Sequence, residues 1–215
     1  MALAATGASV TAVELDRRLA EVLRTEAAPP GVRVVEGDAL RLDWSEVLHD
    51  AEVWILVANL PYNVATPLVI GLLESVPAIR RMLVMVQREV GERMAASAGE
   101  AAYGGVSAKI AYWAEAALVG RVPPTVFVPR PKVESALVRI DRRPAPAVSD
   151  AVAYERLVQL INTGFNQRRK MLRRSLVGVV AESAFAEAGI DPTSRAEDLA
   201  IGDWGRLAAA AGPGS

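Results

Sequence analysis

The 215-residue chain contains no cysteine and a single histidine, His49, and only 5% of it is aromatic. Without thiols there is no disulfide, no thiolate metal site and no cysteine nucleophile. One histidine leaves neither a His-based metal centre nor a Ser-His-Asp triad, so no metal is expected. His49 reads as a surface loop residue. Long apolar runs are also missing. Nothing approaches the roughly 18 residues needed to cross a bilayer, and Met1-Ala2-Leu3-Ala4-Ala5-Thr6-Gly7 lacks the basic start and apolar stretch of a signal peptide. A cytoplasmic location without a membrane partner is expected. Net charge is small too, −1 at pH 7, which excludes a uniformly basic protein, while a hydrophobic content of 52% suffices for a sizeable core.

What is present is a repeating pattern. Up to about residue 140, short β-branched runs alternate with longer amphipathic stretches, as in βαβ units around a parallel sheet. Residues 8–14, 32–36 and 53–58 read as strands, 17–25 as a helix, and each strand ends on a polar residue: Glu14, Asp38 just beyond the second, and Asn59. Open parallel sheets bind ligands beyond the carboxyl ends of their strands, so these three residues should share one rim. Thr66-Pro67 reads as a helix cap followed by proline at the first helical position. Further on, 82–87 reads as a strand, 89–96 and 107–115 as helices, and 117–121 and 133–140 as two closing strands.

Pro144-Ala145-Pro146-Ala147 breaks both periodicities. The expected division is 1–143 as the α/β domain, 144–150 as linker and 151–215 as a small helical domain. In the last, Tyr154, Leu157, Leu160, Ile161 and Phe165 recur at helical spacing and Leu172, Leu176 and Val179 or Val180 continue it. Arg168, Arg169, Lys170, Arg173 and Arg174 would lie beside them on one broad basic helical face. Such a face is either merely solvated or meets RNA phosphates, with Arg130 and Lys132 extending the track. Residues 208–215 read as a fraying tail.

The segment that carries chemistry is Asn59-Leu60-Pro61-Tyr62. A turn there can aim the Asn59 carboxamide oxygen and the Leu60 carbonyl at one exocyclic amine, accepting both its hydrogens. Drawing them out of the ring plane localises the nitrogen lone pair for attack, so positioning and fixed dipoles supply the catalysis. Tyr62 offers a face for a base to stack on. By itself the tetrapeptide is equally a turn, Glu14 a surface acid, Gly37-Asp38 a common turn and Phe127 a packing residue.

Taken in order, Glu14, Gly37-Asp38-Ala39, Asn59-Leu60-Pro61-Tyr62, Met85-Val86-Gln87-Arg88-Glu89-Val90 with Arg93, Tyr103-Gly104-Gly105-Val106-Ser107, the run from Phe127 to Ser135, Phe165-Asn166-Gln167-Arg168-Arg169-Lys170 and Arg195-Ala196-Glu197-Asp198-Leu199 resemble the signatures of the bacterial small-subunit rRNA adenine N6,N6-dimethyltransferases, whose loss gives kasugamycin resistance. The resemblance implies an α/β, Rossmann-like methyltransferase sheet with a small C-terminal helical domain. It further implies transfer of methyl groups from S-adenosylmethionine to two adjacent adenosines near the 3′ end of small-subunit rRNA, two methyls to each. Carried over residue by residue, Glu14 with Leu15 holds the cofactor ribose and Asp38 with Ala39 its adenine. Asn59 touches both the cofactor side and the target amine, and Phe127 stacks opposite Tyr62 on the extracted base. Arg88, Glu89 and Arg93 read as ion pairs that hold the sheet's far end.

The chain begins after the point where that family has its first strand and glycine-rich loop, and it is expected to be N-terminally truncated, leaving two unpaired strand edges and exposed apolar surface. A monomer acting on the small ribosomal subunit is expected. The alternatives are DNA adenine methylation, which Leu60 and the C-terminal match oppose, and a catalytically silent rRNA-binding or ribosome-assembly module.

Overall fold

Valine and threonine favour extended backbone. The first two such segments, β1 (Val10–Glu14) and β2 (Val32–Glu36), form a parallel pair with Val10 opposite Val32 and Glu14 opposite Glu36. The structure, a computed structural model, describes residues 2–28, 31–61, 63–148 and 152–212. Between the strands, α1 (Arg17–Val22) is started by Asp16, whose carboxylate accepts from the Arg18 and Leu19 amides at 2.8 and 3.2 Å. Such a cap stabilises by about 1 kcal/mol. The helix widens into a π turn over Leu23–Ala27, and Asp43 caps the single turn α2 (Trp44–Val47) in the same manner. His49 is exposed. These elements form one compact unit ending at Glu52, and a second begins at Val53.

The second unit contains β3 (Trp54–Asn59), α3 (Ala65–Ser75), β4 (Ile79–Gln87), α4 (Arg88–Ala95), α5 (Gly105–Trp113), β5 (Ala114–Val122) and β6 (Ser135–Arg142). Its sheet runs β3-β4-β6-β5, with β3 and β4 parallel and β6 antiparallel to both its neighbours. α3 buries Leu68, Val69, Leu72 and Leu73 and packs on β4 and α5. Met82, Val84 and Val86 of β4 and Ala136, Val138 and Ile140 of β6 form the buried face beneath, and each large side chain so buried stabilises by about 1.5–3 kcal/mol. Among the described residues β1 is paired along one side only, to β2, and β3 only to β4, with Ile55 and Val57 of β3 left 60% and 44% exposed.

The chain then becomes helical: α6 (Tyr154–Asn166), α7 (Leu172–Ser175), α8 (Glu182–Ala188) and α9 (Ile201–Ala211). Leu157, Leu160, Ile161, Leu172, Phe185 and Trp204 close around Tyr103 and the α5 residues Ala108 and Tyr112, so α5 faces the sheet on one side and the helices on the other. The Tyr103 hydroxyl donates to the Leu199 carbonyl at 2.8 Å, and burial, with Asp203 adding to it, pushes its pKa up to about 12.

Three details differ from the sequence reading. The basic residues do not share one helical face. α6 ends at Asn166, residues 167–171 turn, and α7 is a single turn, because the Leu172 and Arg173 amides leave the helical pattern to donate to the Ser194 and Pro192 carbonyls at 2.7 and 3.0 Å. α3 starts at Ala65, ahead of Thr66-Pro67, since the Val64 and Ala65 amides already donate to the Pro61 carbonyl. Ala208 is not frayed but 2% exposed within α9. Among the described residues no helix is long and apolar enough to cross a membrane, and no group of three His, Cys, Asp or Glu could hold a metal ion.

Candidate active site

The carboxyl ends of β1 and β2 set two acids side by side. Gly37 extends the ladder by one bond, its amide donating to the Glu14 carbonyl at 2.9 Å, so Asp38 emerges next to Glu14. One Glu14 oxygen accepts from the Asp16 amide at 2.9 Å and the other has no partner among the described residues. Asp38 accepts from the Leu40 amide at 3.0 Å and lies 3.6 Å from the Arg41 guanidinium. Leu15 is 69% exposed beside Glu14, and Ala39 follows Asp38 with its carbonyl taking the Trp44 indole N–H at 3.1 Å. A half-buried carboxylate with a free oxygen next to a second acid suits the hydroxyls of a ribose and the amino group of a purine, and the adjoining Leu15 and Ala39 are small or apolar enough to lie along a ring.

In the second unit, β3 ends at Asn59, and Leu60 continues the ladder by donating its amide to the Met85 carbonyl at 3.0 Å. Asn59, Leu60 and Pro61 line a cavity of about 580 Å³ with Phe127 and the prolines 129 and 131 of the β5–β6 connection. Val86 forms part of its wall and Ser135 another part. Tyr62 lies outside the described residues. The Pro61 carbonyl receives the Val64 and Ala65 amides at 3.0 and 3.1 Å, whereas the Leu60 carbonyl and the Asn59 carboxamide have no partner among the described residues. Two acceptors left free at the end of a strand, beside an aromatic ring, are what an exocyclic amine on a stacked base requires.

Ion pairs fasten this end of the sheet. Arg88 donates its amide to the Glu134 carbonyl at 2.9 Å and its guanidinium reaches the Glu134 carboxylate at 3.0 Å and Glu92 at 3.6 Å, while Arg93 pairs with Glu89 at 3.2 Å. Arg130 and Lys132, on the connection beside the cavity, have no ion pair among the described residues. The same holds for Arg169, Lys170 and Arg174, and Arg173 lies near Asp191. Arg168 is different. Its Nε reaches Glu197 at 2.7 Å and its Nη2 donates to the Ala101 carbonyl at 2.8 Å, which pins the turn to the segment leading into α5 and leaves Nη1 without a partner among the described residues. Ser135 stands in the sequence only as the end of a signature run; a hydroxyl ahead of the apolar Ala136-Leu137-Val138 was its one signal.

A parallel pair of strands finished by an antiparallel pair, with an Asn-Leu-Pro turn closing β3, matches the Rossmann-like sheet of S-adenosylmethionine-dependent methyltransferases. Two solved structures share it: a dimethyladenosine transferase from Plasmodium falciparum (TM-score 0.73, 20% identity, covering 93% of this chain and 80% of that one) and the 23S rRNA methyltransferase ErmE (TM-score 0.70, 25% identity, 94% and 82%). Residues 2–211 match the family model described as ribosomal RNA adenine dimethylase. Ribosomal RNA small subunit methyltransferase A of Thermobifida fusca is 46% identical over 210 residues, covering 93% of this chain and 71% of that protein. The protein of the same name from Dechloromonas aromatica is 41% identical over 196 residues, 91% and 75%. The chain belongs to the ribosomal RNA adenine dimethylase family, enzymes that take their methyl groups from S-adenosylmethionine.

Proposed function

We propose that this chain dimethylates N6 of two adjacent adenosines near the 3′ end of small-subunit rRNA, working as a monomer on the small ribosomal subunit in the cytoplasm. The observation that carries the reading is the pair of free acceptors, Asn59 Oδ1 and Leu60 O, in a cavity walled by Phe127. Glu14 and Asp38, with Leu15 and Ala39, would hold the cofactor's ribose and adenine. When bound, the cofactor supplies a methyl group on a sulfonium sulfur, an electrophile that needs no metal.

The residues of the chain do the rest. Asn59 and Leu60 accept the two amine hydrogens and turn the nitrogen lone pair out of conjugation. Phe127, with Tyr62 assigned to the opposite face by the resemblance, clamps the base after it leaves its stack. With the cofactor bound, the amine so held would be the nucleophile toward its methyl carbon, the sulfonium would leave as a thioether, and the surplus proton would pass from nitrogen to water. Repetition on the same nitrogen gives dimethyladenosine. Residues 1–143 would carry this chemistry, 144–150 link, and 151–215 contact RNA, with Arg130, Lys132, Arg169, Lys170, Arg173, Arg174 and the free Nη1 of Arg168 meeting phosphates.

The test is transfer of labelled methyl from S-adenosylmethionine to small ribosomal subunits lacking the modification, followed by nucleoside analysis. Dimethyladenosine is expected from the wild type, and Asn59→Ala should lower its formation by about 10²-fold, as loss of one preorganised polar group does elsewhere. Undiminished transfer by Asn59→Ala would overturn the reading.

A further inference from the structure

Three polar residues in the described structure are buried: Ser107, Ser135 and Ser175. Two of the hydroxyls are spoken for. Ser107 donates to the Arg93 carbonyl at 2.5 Å and accepts the Gly104 amide at 3.0 Å, and Ser175 donates to the Leu172 carbonyl at 3.3 Å. The hydroxyl of Ser135, a residue only 5% exposed, has no partner among the described residues, and Ser135 lines the cavity that holds Asn59, Leu60 and Phe127. Its oxygen opens onto the cavity, where water reaches it until a ligand group takes the water's place. The backbone offers Ser135 no freedom to turn away. It opens a central strand, paired with Gln87 on one side and Val122 on the other, and Glu134 before it is held by Arg88.

Register gives the span. Asn59 lies opposite Met85, Met85 opposite Leu137, and Ser135 is two residues from Leu137 along β6, on the same sheet face as Asn59. Two strand spacings across and two residues along place the two Cα atoms roughly 12 Å apart. After the reach of both side chains, that leaves room for one purine hydrogen-bonded at each end.

We propose that Ser135 is a specificity contact for the target base, its hydroxyl donating to an unprotonated ring nitrogen of the adenine whose amine is held by Asn59 and Leu60. The inference rests on the reading of the cavity as the base site. With the ring edge anchored, the base keeps its place when the first methyl displaces one amine hydrogen from its acceptor. The second transfer therefore leans on Ser135 more than the first.

The experiment compares wild type, Ser135→Ala, Ser135→Thr and Asn59→Ala in the methyl-transfer assay on unmodified small subunits, with mono- and dimethyladenosine counted separately and thermal stability measured for each. Ser135→Ala is expected to melt like the wild type, to transfer about tenfold more slowly, and to accumulate monomethyladenosine, while Ser135→Thr, which keeps the hydroxyl, restores the dimethyl product. A wild-type rate and product ratio in Ser135→Ala, with Asn59→Ala impaired, would overturn the role of Ser135 alone. Both variants behaving as wild type would overturn the site reading with it. A rate loss in Ser135→Ala that tracks a lowered melting temperature, with the product ratio unmoved, would assign the residue to the fold instead.

Discussion

Gly164 sits in the last turn of α6 against a Trp204 indole that is 0% exposed, and a methyl group there tests how tightly the helical core holds the basic turn that follows. An added Cβ would meet Trp204 Cη2 at 2.6 Å, Cζ2 at 3.5 Å and the Ala196 Cβ at 3.4 Å. The near approach is to a rigid ring inside a closed core, so it cannot be relieved by swinging a flexible chain end. Overpacking of this kind costs about 1–3 kcal/mol, while replacing glycine by alanine within a helix returns about 1 kcal/mol. The net expectation for Gly164→Ala is a destabilisation of about 1 kcal/mol, or roughly 2–4 °C in melting temperature for a chain of this size. Gly71 in α3 supplies the control, because a Cβ there meets nothing within 4 Å. Gly71→Ala should gain about 1 kcal/mol from propensity alone. Thermal unfolding followed by circular dichroism reads both. If Gly164→Ala melted as high as Gly71→Ala, the packing argument around Trp204 would be wrong.

Two further outcomes are expected. Arg169→Ala or Lys170→Ala should leave melting unchanged and make rRNA binding less sensitive to salt, the log–log slope falling by about 0.7 for each phosphate no longer neutralised. Arg168→Ala, which leaves Glu197 only the longer ion pair to Arg195 at 3.9 Å and strands the Ala101 carbonyl, should lower melting by a few degrees, as about 1 kcal/mol implies; identical behaviour of the two classes would sink the distinction. The hydrogen bond from Arg81 at 2.5 Å, with Arg139 at 2.8 Å, holds the Asp141 carboxyl below the usual carboxylate range. A depressed folded-state pKa means the stabilisation is complete above the unfolded value, about 4, and is lost as pH falls through the folded one. Asp141→Asn should therefore flatten the decline of melting temperature below that pH, and parallel curves for the two proteins would refute the assignment.

The strands and their polar ends were legible because β-branched runs are short, local and sharply bounded: β2 spans 32–36 as read, β1 and β3 begin two residues and one residue later than the expected 8 and 53, and Asn59 closes β3. The break between α6 and α7 was hidden. Leu172, Leu176 and Val180 are buried at helical spacing, so the apolar rhythm runs straight through a stretch whose amides bond instead to residues 192 and 194, partners that local periodicity does not reveal. Ser135 escaped for a related reason. Its burial is set by β4 and β5, far away in the chain, and only the assembled sheet shows that its hydroxyl is unclaimed while those of Ser107 and Ser175 are not.

The sharing of α5 between sheet and helical core has a consequence for how a target is chosen. The cavity and the basic turn belong to one compact unit, tied through Tyr103 to Leu199, through Arg168 to Ala101 and through the Tyr112, Trp113 and Tyr154 rings. Were a strand of RNA gripped at the turn, as proposed above, it would be offered to the cavity at a set distance. The enzyme would select its adenosines as a ruler does, by length from a grip, with few base letters needing to be read.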